Sequence, residues 1–518
     1  MIKKLIRRLL GQSGAPAEAP ASPTIPLGRR TEIAADQHGI DPRLVDANAA
    51  RVVRTLKDAG YEAYIVGGAV RDLIVGMRPK DFDVATDATP EQVKALFRRA
   101  FIIGRRFRLV HVVFGRGREH EVIEVSTFRA YLDASAAEQV SGNEKTSRQE
   151  LSGKAHVVDA SGRVLRDNVW GPQVEDAARR DFTINAMYYD PVTQVVVDYH
   201  GGLADARART LRMIGDAATR YREDPVRIIR VVRFAAKLGF AIERGTLEPI
   251  ARAKPLLQAV PASRLFDEMV KLLQTGHALA SVEQLRRHDL LHGVFPVLEA
   301  AFAEDSAHPR RARLIELALA DTDQRVAEDR AVAPSFLLAC LLWHEVQTRW
   351  ASLKASGEAA FPALQAAIDA VFDARVGDIS GRGKLAADMR EIWQMQPRFD
   401  RRTAAGAASL VAQPRFRAGF DFLRLRADAG ELDAALADWW EDFHLGDDDE
   451  REALLAAVRP ASAPRRVRPV RGDEAPAAAV ESAEAASDGS QAPRRRRRRR
   501  RGRGSAEGGS TGEAQADS

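Results

Sequence analysis

The sequence has very little cysteine and no long apolar segment. Its 518 residues include a single cysteine, Cys340, which lies in the apolar run 336–342. One thiol cannot build a disulfide framework, so we expect a protein of the reducing cytoplasm in which Cys340 packs in the core. No apolar stretch approaches the roughly twenty residues that a bilayer-spanning helix needs. These shortages exclude a disulfide-stapled secreted domain and a transmembrane protein.

A signal peptide and a repeat of fixed period are also lacking. The basic segment 1–10 has neither the apolar core nor the cleavage site of a signal peptide. We expect a frayed terminus before the Ala/Pro/Ser-rich linker 12–26, with a peripheral membrane or partner contact as the alternative. Without a repeat, a solenoid is not predicted.

Net positive charge is scarce outside the C-terminal tail. The formal net charge is +6, and residues from Pro460 onward contribute thirteen arginines against eight acidic residues. The unbroken arginine run 494–501 lies among Ala, Gly, Ser and Glu, a composition that cannot bury a core and predicts disorder. Such a run binds polyanions through salt-dependent contacts, and we expect RNA contacts at Arg494 and Arg498. A solvated tail without a role is the alternative.

Two glycines follow the first apolar segment of the ordered region. Residues 61–66 predict a buried strand, and Gly67 and Gly68 allow a sharp turn into a helix that begins near Ala69. The free N–H groups of such a helix face an anion. Arg71, in the first turns of that helix, is expected to meet a phosphate. The sequence therefore predicts a phosphate-binding turn here.

A pair of aspartates follows a few residues later. Asp81 and Asp83 are predicted on a second strand over 81–85, where alternation directs both carboxylates to one face. Adjacent carboxylates repel unless a cation lies between them, and Mg²⁺ prefers a few carboxylates plus substrate phosphates. A Gly-Gly turn or an Asp-x-Asp pair alone is more often plain turn chemistry, but the two together favour nucleotide chemistry.

These two motifs resemble those of the nucleotidyltransferase superfamily of DNA polymerase β, and within it the bacterial poly(A) polymerase and CCA-adding family. The resemblance implies an α+β fold whose mixed-sheet head precedes an all-helical neck and body. It also implies phosphoryl transfer with two bound Mg²⁺ ions, or Mn²⁺, and a third carboxylate on a neighbouring strand. Glu124 is the candidate for that carboxylate, with a surface glutamate on an edge strand as the alternative.

Further motifs carry the same resemblance. Arg180, Asp181 and Asn185 lie in the segment 179–186, which is similar to the family's second motif. In that family the motif contacts the ribose and phosphates of the incoming nucleotide, and its aspartate is one of the active-site carboxylates. A solvated basic turn before a buried helix is the alternative. Arg129 could meet the triphosphate by a forked contact.

Asp224 and Arg227 resemble the family's base-selecting pair. On a helix they share a face, and a carboxylate beside a guanidinium imitates the Watson–Crick partner of adenine or cytosine. The pair cannot distinguish adenine from cytosine, and the simpler interpretation is that Asp224 caps the helix whose first residue is Pro225. The stretch 102–112 resembles the signature of bacterial poly(A) polymerases, and its Arg105 and Arg106 are expected to contact RNA.

The predicted function is a template-independent polynucleotide adenylyltransferase that adds AMP from ATP to RNA 3′ ends and so promotes RNA turnover. A CCA-adding enzyme and a non-catalytic RNA-binding tether are the alternatives. We expect a monomer, with RNA chaperones or nucleases as candidate partners. The predicted organisation is a flexible segment 1–40, a catalytic head 41–200, a helical neck 201–273, an RNA-binding helical body 274–458 and a disordered tail 459–518.

Overall fold

The computed structural model describes most of the chain between residues 27 and 458. The described ranges are 27–104, 108–116, 119–131, 138–139, 156–158, 164–167, 169–302, 308–330, 332–375 and 383–458. The described residues all belong to one compact unit. The predicted RNA contacts Arg105, Arg106, Arg494 and Arg498 lie outside the described residues.

A mixed eight-stranded sheet forms the head. The strands are β1 Thr31–Ile33, β2 Ala63–Val66, β3 Asp83–Thr86, β4 Ala100–Ile103, β5 Leu109–Arg116, β6 Glu119–Thr127, β10 Met187–Asp190 and β11 Val195–Asp198. Their order in the sheet is β1-β11-β10-β2-β3-β6-β5-β4. Neighbouring strands are antiparallel except β3 and β6, which are parallel. The predicted α+β head is confirmed, because helices cover a mixed sheet.

Short helices and two small sheets complete the head. Thr89 caps the helix Pro90–Leu96 with a capping box. β7 Glu138–Gln139, β8 His156–Val158 and β9 Val164–Asp167 form a three-stranded sheet. The head helices are Ala35–His38, Ala47–Asp58, Gly68–Ile74, Pro90–Leu96, Gln173–Arg179 and Gly202–Arg207, with 3₁₀ turns at Pro42–Leu44 and Thr183–Asn185.

The chain is mainly helical from residue 201 to 458. The prediction of an all-helical neck was wrong, because β12 Thr210–Leu211 and β13 Ala241–Ile242 form a small parallel pair. These strands are too short to show alternation in the sequence. None of the described helices is long and apolar enough to cross a bilayer. The helices are Ala217–Glu223, Val226–Leu238, Arg244–Leu247, Ile250–Ala253, Ala262–Leu273, Ala278–Arg287, Pro296–Phe302, Pro309–Ala327, Pro334–Ala355, Ala360–Ala374, Gly383–Met395, Ala404–Val411, Phe416–Asp428, Ala434–Leu445 and Asp448–Val458, with 3₁₀ segments at Lys254–Ala259 and Gln396–Arg398.

The two faces of the large sheet are covered differently. One face packs into a continuous core that runs from Ile33 to Ala429 and includes Ile65, Val84 and Ile123. The other face carries a smaller cluster, with Tyr64, Val66, Ala85, Tyr188 and Val197, over its β2, β3, β10 and β11 side. Because the large core joins the head to the helical region, the division into head, neck and body stays a prediction.

Candidate active site

The turn after β2 has the geometry that the glycine pair predicts. Gly67 has φ 78° and ψ −130°, a conformation that a side chain would strain, and the helix Gly68–Ile74 starts at the next residue. The Gly67 N–H donates to the Met187 carbonyl at 3.3 Å, which ties the turn to β10. The turn therefore lies at the end of a central strand and faces an open cavity.

Asp83 and Glu124 occupy directly paired positions on β3 and β6. Asp81 precedes β3 rather than lying within it as predicted. Burial and the negative charges of Glu124 and Asp81 raise the pKa of Asp83 to about 6, although the positive charge of Arg180 acts to lower it. Glu124 also bonds His111, whose Nε2 lies 3.0 Å from Oε1. The structure thus brings three predicted carboxylates together, and Glu124 faces the same side of the sheet as Asp83.

The carboxylates fit a divalent cation that completes its ligand shell with substrate. Among the described residues, no three His, Cys, Asp or Glu side chains converge closely enough to hold a metal by themselves. Mg²⁺ commonly takes only one or two carboxylates from a protein, with phosphates and waters as its other ligands. A cation beside Asp81 and Asp83 would also relieve the repulsion that raises the Asp83 pKa.

A cavity of about 840 Å³ contains most of the predicted site residues. Its head wall includes Gly67, Gly68, Asp81 and Asp83, and Thr275–His277 with Val326 and Ala327 line the opposite side. Across the described residues, eight arginines or lysines and five aspartates line it, so the cavity is net positive: Arg71, Arg78, Lys80, Arg129, Arg179, Arg180, Arg230, Lys237, Asp72, Asp81, Asp83, Asp176 and Asp181. A net positive cavity with carboxylates on one wall suits an anionic ligand that carries a metal.

Arg71 is buried beneath the glycine turn. Its Nη1 donates to the Asn185 side-chain oxygen at 2.7 Å, and its Nε donates to Asp72 at 2.8 Å. The two predicted phosphate-site residues Arg71 and Asn185 therefore contact each other. These bonds fix the guanidinium at the cavity wall.

Arg180 is held by the buried Asp176, a residue that the sequence analysis missed. Arg180 Nη2 donates to Asp176 Oδ2 at 3.0 Å, and the Tyr188 hydroxyl donates to the same oxygen at 2.7 Å. Burial acts to raise the pKa of Asp176, but the charge of Arg180 and these hydrogen bonds outweigh it and lower the pKa. The backbone N–H of Arg129 also donates to Asp176, at 3.1 Å. One buried carboxylate thus positions two predicted phosphate ligands.

Asp181 lies in the cavity wall but is paired with arginines. Arg227 Nε is 2.9 Å from Oδ1, and Arg230 Nη2 is 2.9 Å from Oδ2. Burial acts to raise the pKa of Asp181, but the charges of Arg230 and Arg227 lower it. In this arrangement Asp181 anchors the helix Val226–Leu238 to the head. Its predicted place among the active-site carboxylates stays a prediction.

Asp224 and Arg227, the predicted base-selecting pair, each bond another protein side chain in this structure. Asp224 Oδ2 accepts from Arg264 at 2.6 Å, and Arg227 Nη1 donates to Glu223 at 2.8 Å. Val226 begins the helix with Pro225 at the N-cap position, one residue later than the simpler interpretation proposed, and the Val226 N–H donates to Asp224 Oδ1 at 3.3 Å. The cavity reaches this helix only from Arg230 onward.

Lys237 is a cavity residue that the sequence analysis did not identify. Arg230, Phe234 and Lys237 lie at i, i+4 and i+7 of the helix Val226–Leu238 and share the face that lines the cavity. Burial and the charge of Arg71 lower the pKa of Lys237. The helical spacing from Arg230 is the signal that could have identified Lys237.

Comparisons with known proteins agree on one family. Residues 63–212 match the family described as Poly A polymerase head domain. Residues 239–302 match the one described as a probable RNA- and SrmB-binding site of polymerase A, and 356–503 match a polymerase A arginine-rich C-terminus. The two C-terminal matches extend the likeness well beyond the sheet.

Individual relatives differ in how much of the chain they cover. Poly(A) polymerase I of Salmonella typhi is 41% identical over 457 residues, 87% of this chain and 94% of the relative. A CCA-adding enzyme of Streptococcus pyogenes is 35% identical over 249 residues, 48% of this chain and 55% of its own. The solved Bacillus stearothermophilus CCA-adding enzyme with CTP has a TM-score of 0.42 at 24% identity, covering 79% of this chain and 96% of that one. Because the likeness to poly(A) polymerase I spans nearly the whole length of both proteins, this chain belongs to the bacterial poly(A) polymerase I family.

Proposed function

We propose that this chain transfers AMP from ATP to the 3′-hydroxyl of RNA, without a template, and releases pyrophosphate. The observation that carries the proposal is the shared cavity, in which the Gly67–Gly68 turn and the Asp81–Asp83 pair face a net positive wall. Phosphoryl transfer depends mainly on positioning and charge neutralisation, and this cavity supplies groups for both. The family membership supports the same reaction.

Asp81 and Asp83 are the proposed Mg²⁺ ligands, with Mn²⁺ as a substitute. When bound, the metal would neutralise phosphate charge and lower the pKa of the attacking hydroxyl. Asp83 contributes only when it is ionised, and burial raises its pKa to about 6. Metal binding should therefore weaken as the pH falls through this range.

The triphosphate is proposed to lie between the glycine turn and the arginines. Gly67 and Gly68 allow the backbone to approach the phosphates closely, and Arg180 and Arg129 are the proposed phosphate partners, from positions set by Asp176. Arg180, whose donors now hold Asp176 and Tyr188, would exchange part of these contacts for phosphate. Arg71 acts from beneath the turn, because its donors already hold Asn185 and Asp72. These contacts would orient the reacting phosphorus toward Asp81 and Asp83.

Base reading is proposed for Asp224 and Arg227. Both residues would exchange a present partner for the adenine edge, since Asp224 now accepts from Arg264 and Arg227 bonds Asp181 and Glu223. Asp181 would then couple this exchange to the cavity, because it contacts both Arg227 and the cavity-lining Arg230. A role of Asp181 among the catalytic carboxylates belongs to the same proposal.

The wider setting is also part of the proposal. We place the protein in the cytoplasm as a monomer that binds RNA 3′ ends, with RNA chaperones or nucleases as candidate partners. The described function of the family matched by 239–302 supports an RNA contact in the neck. Deleting 460–518, which carries Arg494 and Arg498, should weaken RNA binding most at low salt. An unchanged low-salt affinity would remove the tail from the RNA-binding surface.

The decisive test offers the protein two primers and two nucleotides. Purified protein with Mg²⁺ is incubated with oligo(A) RNA or with tRNA lacking its CCA end, each with ATP or CTP. We expect long extension of oligo(A) with ATP. Efficient CTP incorporation, or extension that stops after a few nucleotides, would identify a CCA-adding enzyme instead.

Variants separate catalysis from RNA tethering. The double variant Asp81→Ala/Asp83→Ala should lose extension while it retains RNA binding. Asp36→Ala/Asp58→Ala, at two exposed helix aspartates outside the cavity, is the matched control. An inactive wild type that binds RNA would favour the tether, and extension by the Asp81/Asp83 variant would refute the metal assignment.

A further inference from the structure

A row of side chains crosses the sheet from Asp83 to its edge. In the strand register, Asp83 pairs with Glu124, Glu124 with His111, and His111 with Phe101. Directly paired residues of neighbouring strands project from the same face. These four residues, here called the cross-sheet row, therefore lie side by side over β3, β6, β5 and β4. At about 4.8 Å between strands, the row is about 14 Å long.

The face that carries the row is open on this side of the sheet. The neighbours that alternate with the row residues, Val110, Val112, Ile123 and Val125, are buried in the core on the other face. On the row's own face Phe101 is 56% exposed. A large aromatic ring on the outermost strand of the sheet gains little from core packing, so it is available to a ligand.

The middle of the row offers hydrogen-bonding groups to a ribose. His111 and Glu124 form a pair at 3.0 Å, with the Glu124 side chain 48% exposed. An imidazole can donate or accept, and a carboxylate accepts, so the pair can contact ribose hydroxyls. RNA-binding surfaces combine such groups with aromatic rings on which bases stack.

The surroundings of the row suit a polyanion that reaches the catalytic cavity. Arg98 and Arg99 are exposed and immediately precede β4. At the other end of the row, Asp83 lines the cavity together with Ser126, which is two residues beyond Glu124 on β6. The row thus connects a basic, aromatic edge with the site where the primer hydroxyl would react.

We infer that the cross-sheet row is the platform for the 3′-terminal nucleotides of the RNA primer. A base near the end stacks on Phe101, and the His111–Glu124 pair contacts ribose hydroxyls between that base and Asp83. This inference rests on the proposed adenylyl transfer for the identity of the ligand. It makes Phe101 and His111 positioning residues for the primer, not for ATP.

Replacing Phe101 tests the stacking contact. A fluorescent 2-aminopurine is placed at or next to the 3′ end of oligo(A), and its binding is titrated without ATP. Losing a base–aromatic stack should weaken binding by about 5- to 150-fold in Phe101→Ala. Phe101→Trp should restore both the affinity and the quenching of the probe. The matched control is Phe361→Ala, a phenylalanine of similar exposure on the helix Ala360–Ala374.

Steady-state kinetics test the rest of the row. His111→Gln should raise KM for the oligo(A) primer severalfold and leave KM for ATP unchanged. Unaltered probe affinity and quenching in Phe101→Ala, or equal changes in Phe361→Ala, would overturn the inference. Because the titration needs no ATP, an inactive wild type would refute the adenylyl transfer while the Phe101 variants still decide the platform.

Discussion

Replacing Lys237 with methionine tests the basic wall of the cavity most directly. Lys237 lines the cavity and, among the described residues, has no ion-pair partner. A charged hydrogen bond to a phosphate contributes about 1.5–3 kcal/mol. Lys237→Met should therefore lower kcat/KM for ATP by about 10- to 150-fold, measured by AMP incorporation into oligo(A).

Stability distinguishes lost contact from lost folding in this variant. Burial and the charge of Arg71 lower the pKa of Lys237, so the folded state binds this proton less tightly than the unfolded chain. The charge then costs stability at pH values below the ordinary lysine pKa of about 10.4. Lys237→Met should melt no lower than the wild type at pH 7.

A lysine outside the cavity gives the control. Lys94 is exposed on the helix Pro90–Leu96, and Lys94→Met should keep full kcat/KM. Unchanged kcat/KM for ATP in Lys237→Met would show that the Lys237 ammonium does not contact the triphosphate. A fall matched by Lys94→Met would show a nonspecific effect of net charge.

Three further substitutions probe the carboxylates and the turn. Asp83→Asn should abolish AMP transfer yet raise the melting temperature at pH 7, because burial raises the Asp83 pKa to about 6 and the wild-type carboxylate is therefore costly to bury. Calorimetry should show this gain disappearing below about pH 4, where the wild-type carboxyl is neutral in the folded and the unfolded state. Asp181→Ala removes the carboxylate that Arg227 and Arg230 share, although Arg227 keeps Glu223, and should lower the free energy of unfolding in urea by about 1–3 kcal/mol; a loss below about 1 kcal/mol would contradict the anchoring role. Gly67→Ala should cost about 1–3 kcal/mol through its backbone conformation, whereas Gly39→Ala, at φ 70° and ψ 18°, should cost less in the same urea assay.

The strands and turns around the glycine and aspartate motifs could be predicted from local sequence. The apolar segment before Gly67 and Gly68 marked β2 and the start of the helix Gly68–Ile74, because burial and turn formation act over a few residues. The two-residue strands β12 and β13 gave no such signal, since their pairing joins Leu211 to Ile242 across two helices. Contacts of this kind depend on tertiary packing.

The partners of the charged side chains could not be predicted. The sequence motif grouped Asp181 with the active-site carboxylates, and the structure pairs it with Arg227 and Arg230 in the first two turns of the helix Val226–Leu238. Asp176 also gave no motif, although it is buried beneath Arg180. In both cases the fold, rather than sequence spacing, decides which carboxylate meets which arginine.

The parallel pairing of β3 with β6 separates evolutionary changes at the outer sheet edge from changes in the strand that carries Asp83. The chain between these strands leaves the centre of the sheet, forms the helix Pro90–Leu96 with β4 and β5, and returns with Glu124 beside Asp83. Substitutions in this excursion can reshape the outer sheet edge while the strand that carries Asp83 keeps its place. A shared catalytic centre could in this way diverge toward different RNA ends, with the selectivity encoded in a contiguous stretch of about thirty residues.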